Sequence, residues 1–228
     1  MFWKRKISTA AVVSDYLLAC EQMVRAQLVG RNIKDTRVLQ AMAQVPREEF
    51  VPDDMRSSAY DDRALPIGQD QTISQPYTVA FMLQALQLTG QDRVLEIGTG
   101  SGYGAAVISR LVRHVDTVER LPALVGGARE RLRRLGYHNV TVHLADGTLG
   151  LAEYAPFDAI VVTAGAKTLP PAYAEQLGMG GRIVIPIGSR PRSQTMTCYT
   201  RGENQWRIEK LGGFAFVPLI GEQGWPTD

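Results

Sequence analysis

Residues 94–103 of this chain read Val-Leu-Glu-Ile-Gly-Thr-Gly-Ser-Gly-Tyr, and they indicate its fold most directly. A short apolar run, typical of a buried strand, ends in three glycines spaced by two, and a helical pattern covers 105–112. Because glycine lacks a Cβ, Gly98, Gly100 and Gly102 leave one side of the turn open to a flat ligand. The stretch therefore predicts a strand, a ligand-binding turn and a helix, although a glycine-rich turn without a ligand is the plainer alternative.

Two further predicted strands end at acidic residues. The strand at 114–119 ends in Glu119, and the strand at 140–145 is followed by Asp146 and Gly147. A carboxylate after the second strand can accept both hydroxyls of a ribose, and ligands of open α/β sheets bind at the carboxyl ends of strands. Asp146 can accept an adenine amino group while Gly147 leaves room for the ring. An exposed strand-end glutamate and an ordinary Asp-Gly turn are the alternatives.

The spacing of the glycines separates two classes of nucleotide site. A dinucleotide site requires G-x-G-x-x-G, whereas the third glycine here comes one residue earlier. This spacing resembles the first motif of class I methyltransferases that use S-adenosylmethionine. The resemblance implies that Glu96 and Thr99 lie beside the cofactor together with the glycines.

Length and composition favour a globular enzyme of one domain. The 228 residues are 45% hydrophobic and 21% charged, with a net charge of +2, which is too small to suggest a nucleic-acid partner. No apolar run approaches the length that crosses a bilayer. Two distant cysteines, Cys20 and Cys198, suggest a reducing compartment and hence the cytoplasm. Residues 1–20 resemble an export signal in part, but Asp15 interrupts their apolar stretch.

The pattern along the chain predicts an α/β fold: a doubly wound, Rossmann-like methyltransferase sheet with an N-terminal helical extension and C-terminal antiparallel strands. Helices are expected at 14–30 and 35–44, followed by an irregular stretch to Thr72 and a helix after Pro76. The alternating core covers roughly 92–188, and the antiparallel strands are expected at 195–200 and 206–211, joined by a turn at 201–204.

A second resemblance covers most of the chain. The block Thr-Ile-Ser-Gln-Pro-Tyr at 72–77 precedes the glycine turn, and Phe-Val-Pro-Leu follows at 216–219. With the segments 45–52, 59–62, 65–68, 155–160, 176–177 and 180–182, these blocks resemble the protein-L-isoaspartate O-methyltransferase family over about residues 20–221. The resemblance implies one methyltransferase domain, 1–228. It comprises an extension at 1–19, a helical, substrate-side region at 20–75, and a cofactor-binding core with C-terminal strands at 76–221.

The resemblance also implies an activity and its residues. The family moves a methyl group from S-adenosylmethionine, leaving S-adenosylhomocysteine, to the free α-carboxylate of L-isoaspartyl residues in damaged proteins. It implies a positioning role for Ser74, whose alternative role is an N-cap of the following helix. Ile73 is expected beside the cofactor, and five residues are expected to hold the substrate backbone: Pro66, Ile67, Val217, Pro218 and Leu219. The partners are isoaspartyl proteins and peptides, without nucleic acid or membrane, and the enzyme is expected to be a monomer without a metal.

Two positions depart from the family pattern. Asp70 stands where a glycine is usual, and its charge predicts weaker activity on peptides with acidic neighbours. Ala215 stands where bacterial members often carry an arginine. Three other classes remain open: a methyltransferase acting on another carboxylate or small molecule, a nicotinamide oxidoreductase, and a non-enzymatic binding module of the same fold.

Overall fold

The computed structural model describes residues 9–190 and 193–226, and for residues 9–14 it describes the backbone alone. Its strands are β1 Leu65–Gly68, β2 Gln71–Ile73, β3 Arg93–Ile97, β4 His114–Glu119, β5 Val140–Leu144, β6 Phe157–Val162, β7 Leu177–Arg190, β8 Ser193–Arg201 and β9 Trp206–Phe214. Its α-helices are α1 Thr9–Gln22, α2 Thr36–Gln44, α3 Pro76–Leu86, α4 Tyr103–Ser109, α5 Pro122–Arg134 and α6 Pro171–Gln176. A π-helical segment, Met23–Leu28, and a 3-10 turn, Val29–Arg31, continue α1.

Seven strands form one sheet in the order β5-β4-β3-β6-β7-β8-β9. The pairs from β5 to β7 are parallel, and β8 and β9 add to the edge as antiparallel strands. The Rossmann-like sheet with C-terminal antiparallel strands is therefore confirmed. Because β3 lies in the middle of the parallel part, the glycine turn after it comes to the centre of the carboxyl edge.

Alternation along the parallel strands divides the core between the two faces of the sheet. In β3, Val94 packs into the cluster that contains α3, α4 and the N-terminal helices, whereas Leu95 and Ile97 pack into the cluster that contains α6. Successive side chains of a strand point to opposite faces, so a strand covered on both faces carries apolar residues on both, as β3 does.

The N-terminal half departs from prediction in two ways. The stretch expected to be irregular contains the antiparallel hairpin β1–β2 and 3-10 turns at Arg47–Phe50 and Asp53–Ser58. These strands are three and four residues long, too short to produce a clear alternating pattern. In the predicted first helix, the apolar residues divide: Met23 and Leu28 are buried, whereas Leu17 and Leu18 are exposed. In the part of the chain that the structure describes, no helix is both long and apolar enough to cross a membrane.

Candidate active site

Three glycines shape the turn between β3 and α4, and each serves a different purpose. Gly98, Gly100 and Gly102 all have positive φ, at 99°, 53° and 90°. A Cβ on Gly98 would collide with Thr163 Oγ1, so glycine is required where the turn approaches β6. Gly102 is the N-cap of α4, and a Cβ there would meet Leu132 of α5 at 3.3 Å. Gly102 therefore allows two helices to pack closely, while Gly98 and Gly100 line a cavity.

This cavity, the glycine-turn cavity, runs along the carboxyl edge of the sheet. One wall is the turn itself, the second is formed by Val118–Leu121, the end of β4 and the two residues after it, and Gly147 lies at the end that follows β5. The C-terminal segment closes the opposite wall through Val217, Pro218, Leu219 and Ile220. The expectation that these strand ends meet at one edge is confirmed, since β3, β4 and β5 are adjacent and parallel.

Glu119 projects into the glycine-turn cavity, with most of its surface buried. Its Oε2 accepts the N–H of Gly100 at 3.0 Å, and its Oε1 accepts the N–H groups of Arg120 and Leu121 at 2.8 and 3.0 Å. A carboxylate offers about four acceptor positions, so Oε2 is the oxygen with free capacity. The side chain thus braces the glycine turn and also presents an acceptor to the cavity.

Glu96 and Thr99 lie beneath the turn, in a polar cluster enclosed by the sheet. Thr117 Oγ1 donates to Glu96 Oε2 at 2.6 Å and lies 2.7 Å from Thr99 Oγ1. Burial raises the pKa of Glu96 to about 8, the bond from Thr117 lowers it in part, and the charge of Glu119 raises it further. Glu96 lines a small cavity below the turn that also contains Ile73 and Ser74.

Asp146 holds the C-terminal segment in place. Its Oδ1 accepts the N–H and Oγ1–H of Thr148 at 2.9 and 2.7 Å, and its Oδ2 accepts the N–H of Glu222 at 2.8 Å. Burial alone would raise the pKa of Asp146, but the bonds from Glu222 and Thr148 lower it. Asp146 lines a shallow extension beside Arg120 and Leu144 rather than the glycine-turn cavity itself. Its neighbour Gly147 does line that cavity, as expected.

A second cavity of about 300 Å³, the Ser74 cavity, adjoins the first. Three residues line both cavities: Thr72 in the middle of β2, Thr163 after β6, and Val217. The other lining residues are Arg31, Ala64, Ser74, Gln75, Tyr77, Thr78 and the segment 213–216. Two molecules, one bound in each cavity, would therefore be in contact beside Thr72, Thr163 and Val217.

Ser74 occupies the junction between β2 and α3, and its side chain does not cap the helix. The N-cap of α3 is Gln75, which makes no side-chain capping bond, so the N-cap alternative is wrong. Pro76, at the first position of the helix, already removes one of the N–H groups that have no partner within the helix. Within the described residues the Ser74 hydroxyl makes no hydrogen bond, and the residue lines the Ser74 cavity.

The five residues expected to hold the substrate do not all line the same cavity. Val217 lines both cavities, and Pro218 and Leu219 line the glycine-turn cavity. Ile67 faces Gly100 from the other side of the turn, where a Cβ on Gly100 would lie 3.2 Å from its Cδ1. Pro66 is exposed on β1 and lines none of the cavities described here. Asp70 is likewise exposed, at the tip of the β1–β2 turn, so its effect on acidic peptides stays a prediction.

Sequence reasoning missed Thr163, Thr72 and Arg31. Thr163 follows β6. Its Oγ1 lies 2.9 Å from the carbonyl oxygens of both Ile97 and Gly98, which can accept its hydrogen bond. The strand-end rule that identified Glu119 and Asp146 also applies to this strand and could have found it. Arg31 is the one charged residue among those lining the Ser74 cavity. It lies far from every motif, so no sequence signal pointed to it.

Comparisons with known proteins agree with this geometry. Residues 19–224 match the model of the family described as protein-L-isoaspartate(D-aspartate) O-methyltransferase (PCMT). Protein-L-isoaspartate O-methyltransferase 2 of Pelobacter propionicus is 57% identical over 206 residues, which cover 90% of this chain and 92% of the relative. The protein of the same name from Marinobacter nauticus is 54% identical, covering 90% and 94%.

Solved structures of the same family superpose over most of the chain. One protein-L-isoaspartate O-methyltransferase has a TM-score of 0.80 at 31% identity, covering 90% of this chain and 67% of that one. A Plasmodium falciparum protein described as PCMT, crystallised with S-adenosyl-L-homocysteine, has a TM-score of 0.77 at 25% identity, covering 88% and 98%.

Proposed function

This chain belongs to the protein-L-isoaspartate(D-aspartate) O-methyltransferase family, and from that membership we propose which of its residues carry out the reaction. The enzyme transfers the methyl group of S-adenosylmethionine to the free α-carboxylate of L-isoaspartyl residues, a protein-repair reaction. The proposal assigns the cofactor to the glycine-turn cavity and the isoaspartyl residue to the Ser74 cavity.

The residues of the glycine-turn cavity suit a nucleoside cofactor. Glu119 Oε2 offers an acceptor for a ribose hydroxyl, and the backbone at Gly98 and Gly100 lies open to the cavity. At the far end, a Cβ on Gly147 would lie 2.7 Å from Ile97, so the strand ends can approach closely there. When bound, the cofactor supplies a methyl group activated by a sulfonium. We assign ribose binding to Glu119, and contacts with the rest of the cofactor to Ile73, Gly98, Thr99, Gly100 and Gly147.

The substrate requires no general base. An α-carboxylate with a pKa of about 3.5 is already ionised at neutral pH. What this chain must supply is alignment of the carboxylate oxygen with the methyl group, and such alignment can contribute several kcal/mol. Ser74 lines the cavity assigned to the substrate, and its hydroxyl makes no hydrogen bond among the described residues, so we assign it the donor that orients the carboxylate. Val217 and the segment after it would hold the neighbouring peptide backbone.

One observation carries this assignment: the two cavities share Thr72, Thr163 and Val217, so their contents meet there. The test is transfer of labelled methyl groups to an isoaspartyl peptide and to its normal aspartyl twin. The two peptides have the same charge and differ only in the path of the backbone. Transfer to the isoaspartyl peptide alone supports the proposal. Equal rates would instead favour a methyltransferase with a different carboxylate substrate.

We expect Ser74→Ala to lower turnover on the isoaspartyl peptide far more than it lowers cofactor affinity. Ser74 lines the Ser74 cavity and its hydroxyl does not cap α3, so loss of the hydroxyl should change the free energy of unfolding by less than about 0.5 kcal/mol. Turnover, calorimetric affinity for S-adenosylhomocysteine and thermal unfolding would be measured together. Ser57→Ala, at an exposed position that lines neither cavity, is the control. Full turnover in the alanine variant would remove Ser74 from the site.

The remaining assignments concern the whole chain. We propose that it is a single methyltransferase domain acting as a monomer in the cytoplasm, with isoaspartyl proteins and peptides as its partners. One core cluster joins residues from Cys20 to Phe216, which supports a single domain. The net charge of +2 gives little attraction to nucleic-acid phosphates. Free, buried Cys20 and Cys198 suit a reducing compartment. Light scattering of the purified chain would test the monomer.

A further inference from the structure

Arg47 is completely buried, and it has no acidic partner among the residues that the structure describes. It opens the 3-10 turn Arg47–Phe50 after Pro46, and its relative exposure is 0%. Placing a cation in the interior is costly unless its donors are well satisfied, and an apolar side chain of similar size is often more stable there. This burial therefore points to a use for Arg47 other than stability.

Two nitrogens of the Arg47 guanidinium donate hydrogen bonds to backbone carbonyl groups. Nε donates to Ala59 at 2.7 Å, and Nη2 donates to Ser74 at 2.8 Å. The guanidinium carbon lies 4.7 Å from the centre of the Tyr103 ring, and Nη1 is buried without a hydrogen-bond partner in the described part of the chain. The arginine thus joins Ala59, which directly follows the 3-10 turn Asp53–Ser58, to Ser74, which lies between β2 and α3.

Ser74 depends on this contact for its position. It lies outside both neighbouring elements, because β2 ends at Ile73 and α3 begins at Pro76. Its side chain makes no hydrogen bond within the described part of the chain. The carbonyl group bound by Arg47 is therefore a main restraint on the peptide unit that carries the hydroxyl.

We propose that Arg47 is a positioning residue for methyl transfer: it fixes the Ser74 peptide so that the hydroxyl points at the incoming carboxylate. This inference rests on the role proposed above for Ser74. Because Arg47 has no exposed surface, it acts through Ser74 and does not touch the substrate. A shift of about 1 Å in a reacting group can lower a rate by roughly a hundredfold, so a buried anchor of this kind can control turnover.

A double-mutant cycle in the full-length chain tests the inference. Arg47→Lys keeps the charge but cannot reach both carbonyls in the geometry of the planar guanidinium. We expect it to lower the single-turnover rate by about ten- to a hundredfold, with little change in affinity for S-adenosylhomocysteine. In a Ser74→Ala background the same substitution should lower the rate less than about twofold, while its effect on Tm should be the same in both backgrounds. Arg134→Lys, an exposed arginine paired with Glu49 at 2.8 Å, is the matched control and should leave the rate unchanged.

The failures of the two proposals can be told apart. An equal loss of rate from Arg47→Lys in both backgrounds would overturn the positioning role and leave Ser74 in the site. A full rate in Ser74→Ala alone would remove Ser74, and the inference about Arg47 with it. If Arg47→Lys does not fold, Arg47→Gln, which retains an amide donor without a buried charge, takes its place in the cycle with the same expected outcomes.

Discussion

Glu119 stabilises the backbone around the cavity as well as lining the cavity, whereas its place at the end of a strand suggested only a contact with a ligand. Its carboxylate accepts three backbone N–H groups, one from the glycine turn and two from the residues that lead into α5. The same side chain therefore shapes the cavity and offers an acceptor to its contents. Substitution here should affect both binding and stability, and the choice of substitution decides which effect dominates.

We expect Glu119→Gln to weaken binding of S-adenosylhomocysteine by about 1.5–3 kcal/mol, the usual range for a hydrogen bond to a charged group. The amide keeps one oxygen acceptor, so unfolding should remain cooperative, although Tm should fall because the bonds from Gly100 and from Arg120 and Leu121 cannot all be retained. Calorimetry measures the affinity, with the exposed Glu130→Gln as control. Unchanged affinity in the folded variant would show that Glu119 only braces the turn.

Arg31 brings a positive charge to the Ser74 cavity. It lies 3.5 Å above the Tyr77 ring, and its Nη1 pairs with Asp62 at 3.2 Å. Asp62 in turn accepts the side-chain amide of Gln75 at 2.7 Å. The substrate is an anion, so a cation at this wall attracts it, whereas the exposed Asp70 lies outside the cavity. The structure thus adds a charge effect opposite to the one expected from Asp70.

We expect Arg31→Gln to raise KM for isoaspartyl peptides about two- to fivefold, a modest effect because the side chain is partly exposed and screened by solvent. The rise should be larger for peptides with acidic neighbours and should shrink at high salt. Asp62→Asn is the discriminating control. If Arg31 attracts the peptide, removing its carboxylate partner should leave KM unchanged or lower it. If both substitutions raise KM equally, the pair only holds the loop in place.

At the scale of elements, the C-terminal segment acts as a wall of the glycine-turn cavity. Gly165 pairs with it on both sides, donating to the Val217 carbonyl and accepting the Leu219 N–H, each at 2.8 Å. Asp146 holds it further along through the N–H of Glu222. The segment carries no regular secondary structure, so its position depends on these contacts with other elements.

We expect Asp146→Asn to loosen this wall, because the amide nitrogen that replaces Oδ2 cannot accept the N–H of Glu222. Loss of that bond should cost about 1 kcal/mol and weaken binding of S-adenosylhomocysteine. Hydrogen exchange at the amides of Glu222 and Gln223 should become faster. If affinity falls while exchange at both amides is unchanged, Asp146 instead contacts the adenine directly, as its position after β5 first suggested.

For the whole molecule, the buried carboxyl group of Glu96 links stability to pH. Because burial raises its pKa to about 8, the folded chain holds a proton between about 4.5 and 8 that the unfolded chain releases. The contribution of Glu96 to stability is therefore complete below pH 4.5, declines as pH rises, and is lost above pH 8.

Glu96→Gln should remove this dependence, since the amide has no proton to lose and still offers an oxygen to Thr117. We expect the variant to gain stability relative to the parent between pH 5 and pH 8. Denaturant unfolding at the two pH values measures the change, and Glu175→Gln, at an exposed site on α6, is the control. An equal difference at both pH values would mean that Glu96 is ionised in the folded protein.

The sequence by itself determined the sheet and the cofactor side of the site. The strands 94–97 and 114–119 are predicted from local pattern, and the strand-end rule places Gly98, Gly100, Glu119 and Gly147 at one edge. Such features are local because a strand, its turn and the residue after it are contiguous in the chain. The motif blocks at 72–77 and 216–219 likewise indicated the family before any contact was known.

Only the tertiary structure decided how the substrate side is assembled. Arg31, Arg47, Thr72 and Thr163 come from four separate parts of the chain, and their meeting depends on how the N-terminal helices and the β1–β2 hairpin pack over the sheet. Neither a cation on a cavity wall nor an arginine bonded to a distant carbonyl leaves a periodic pattern in sequence. Such contacts join residues tens of positions apart, so they exist only once the elements have packed.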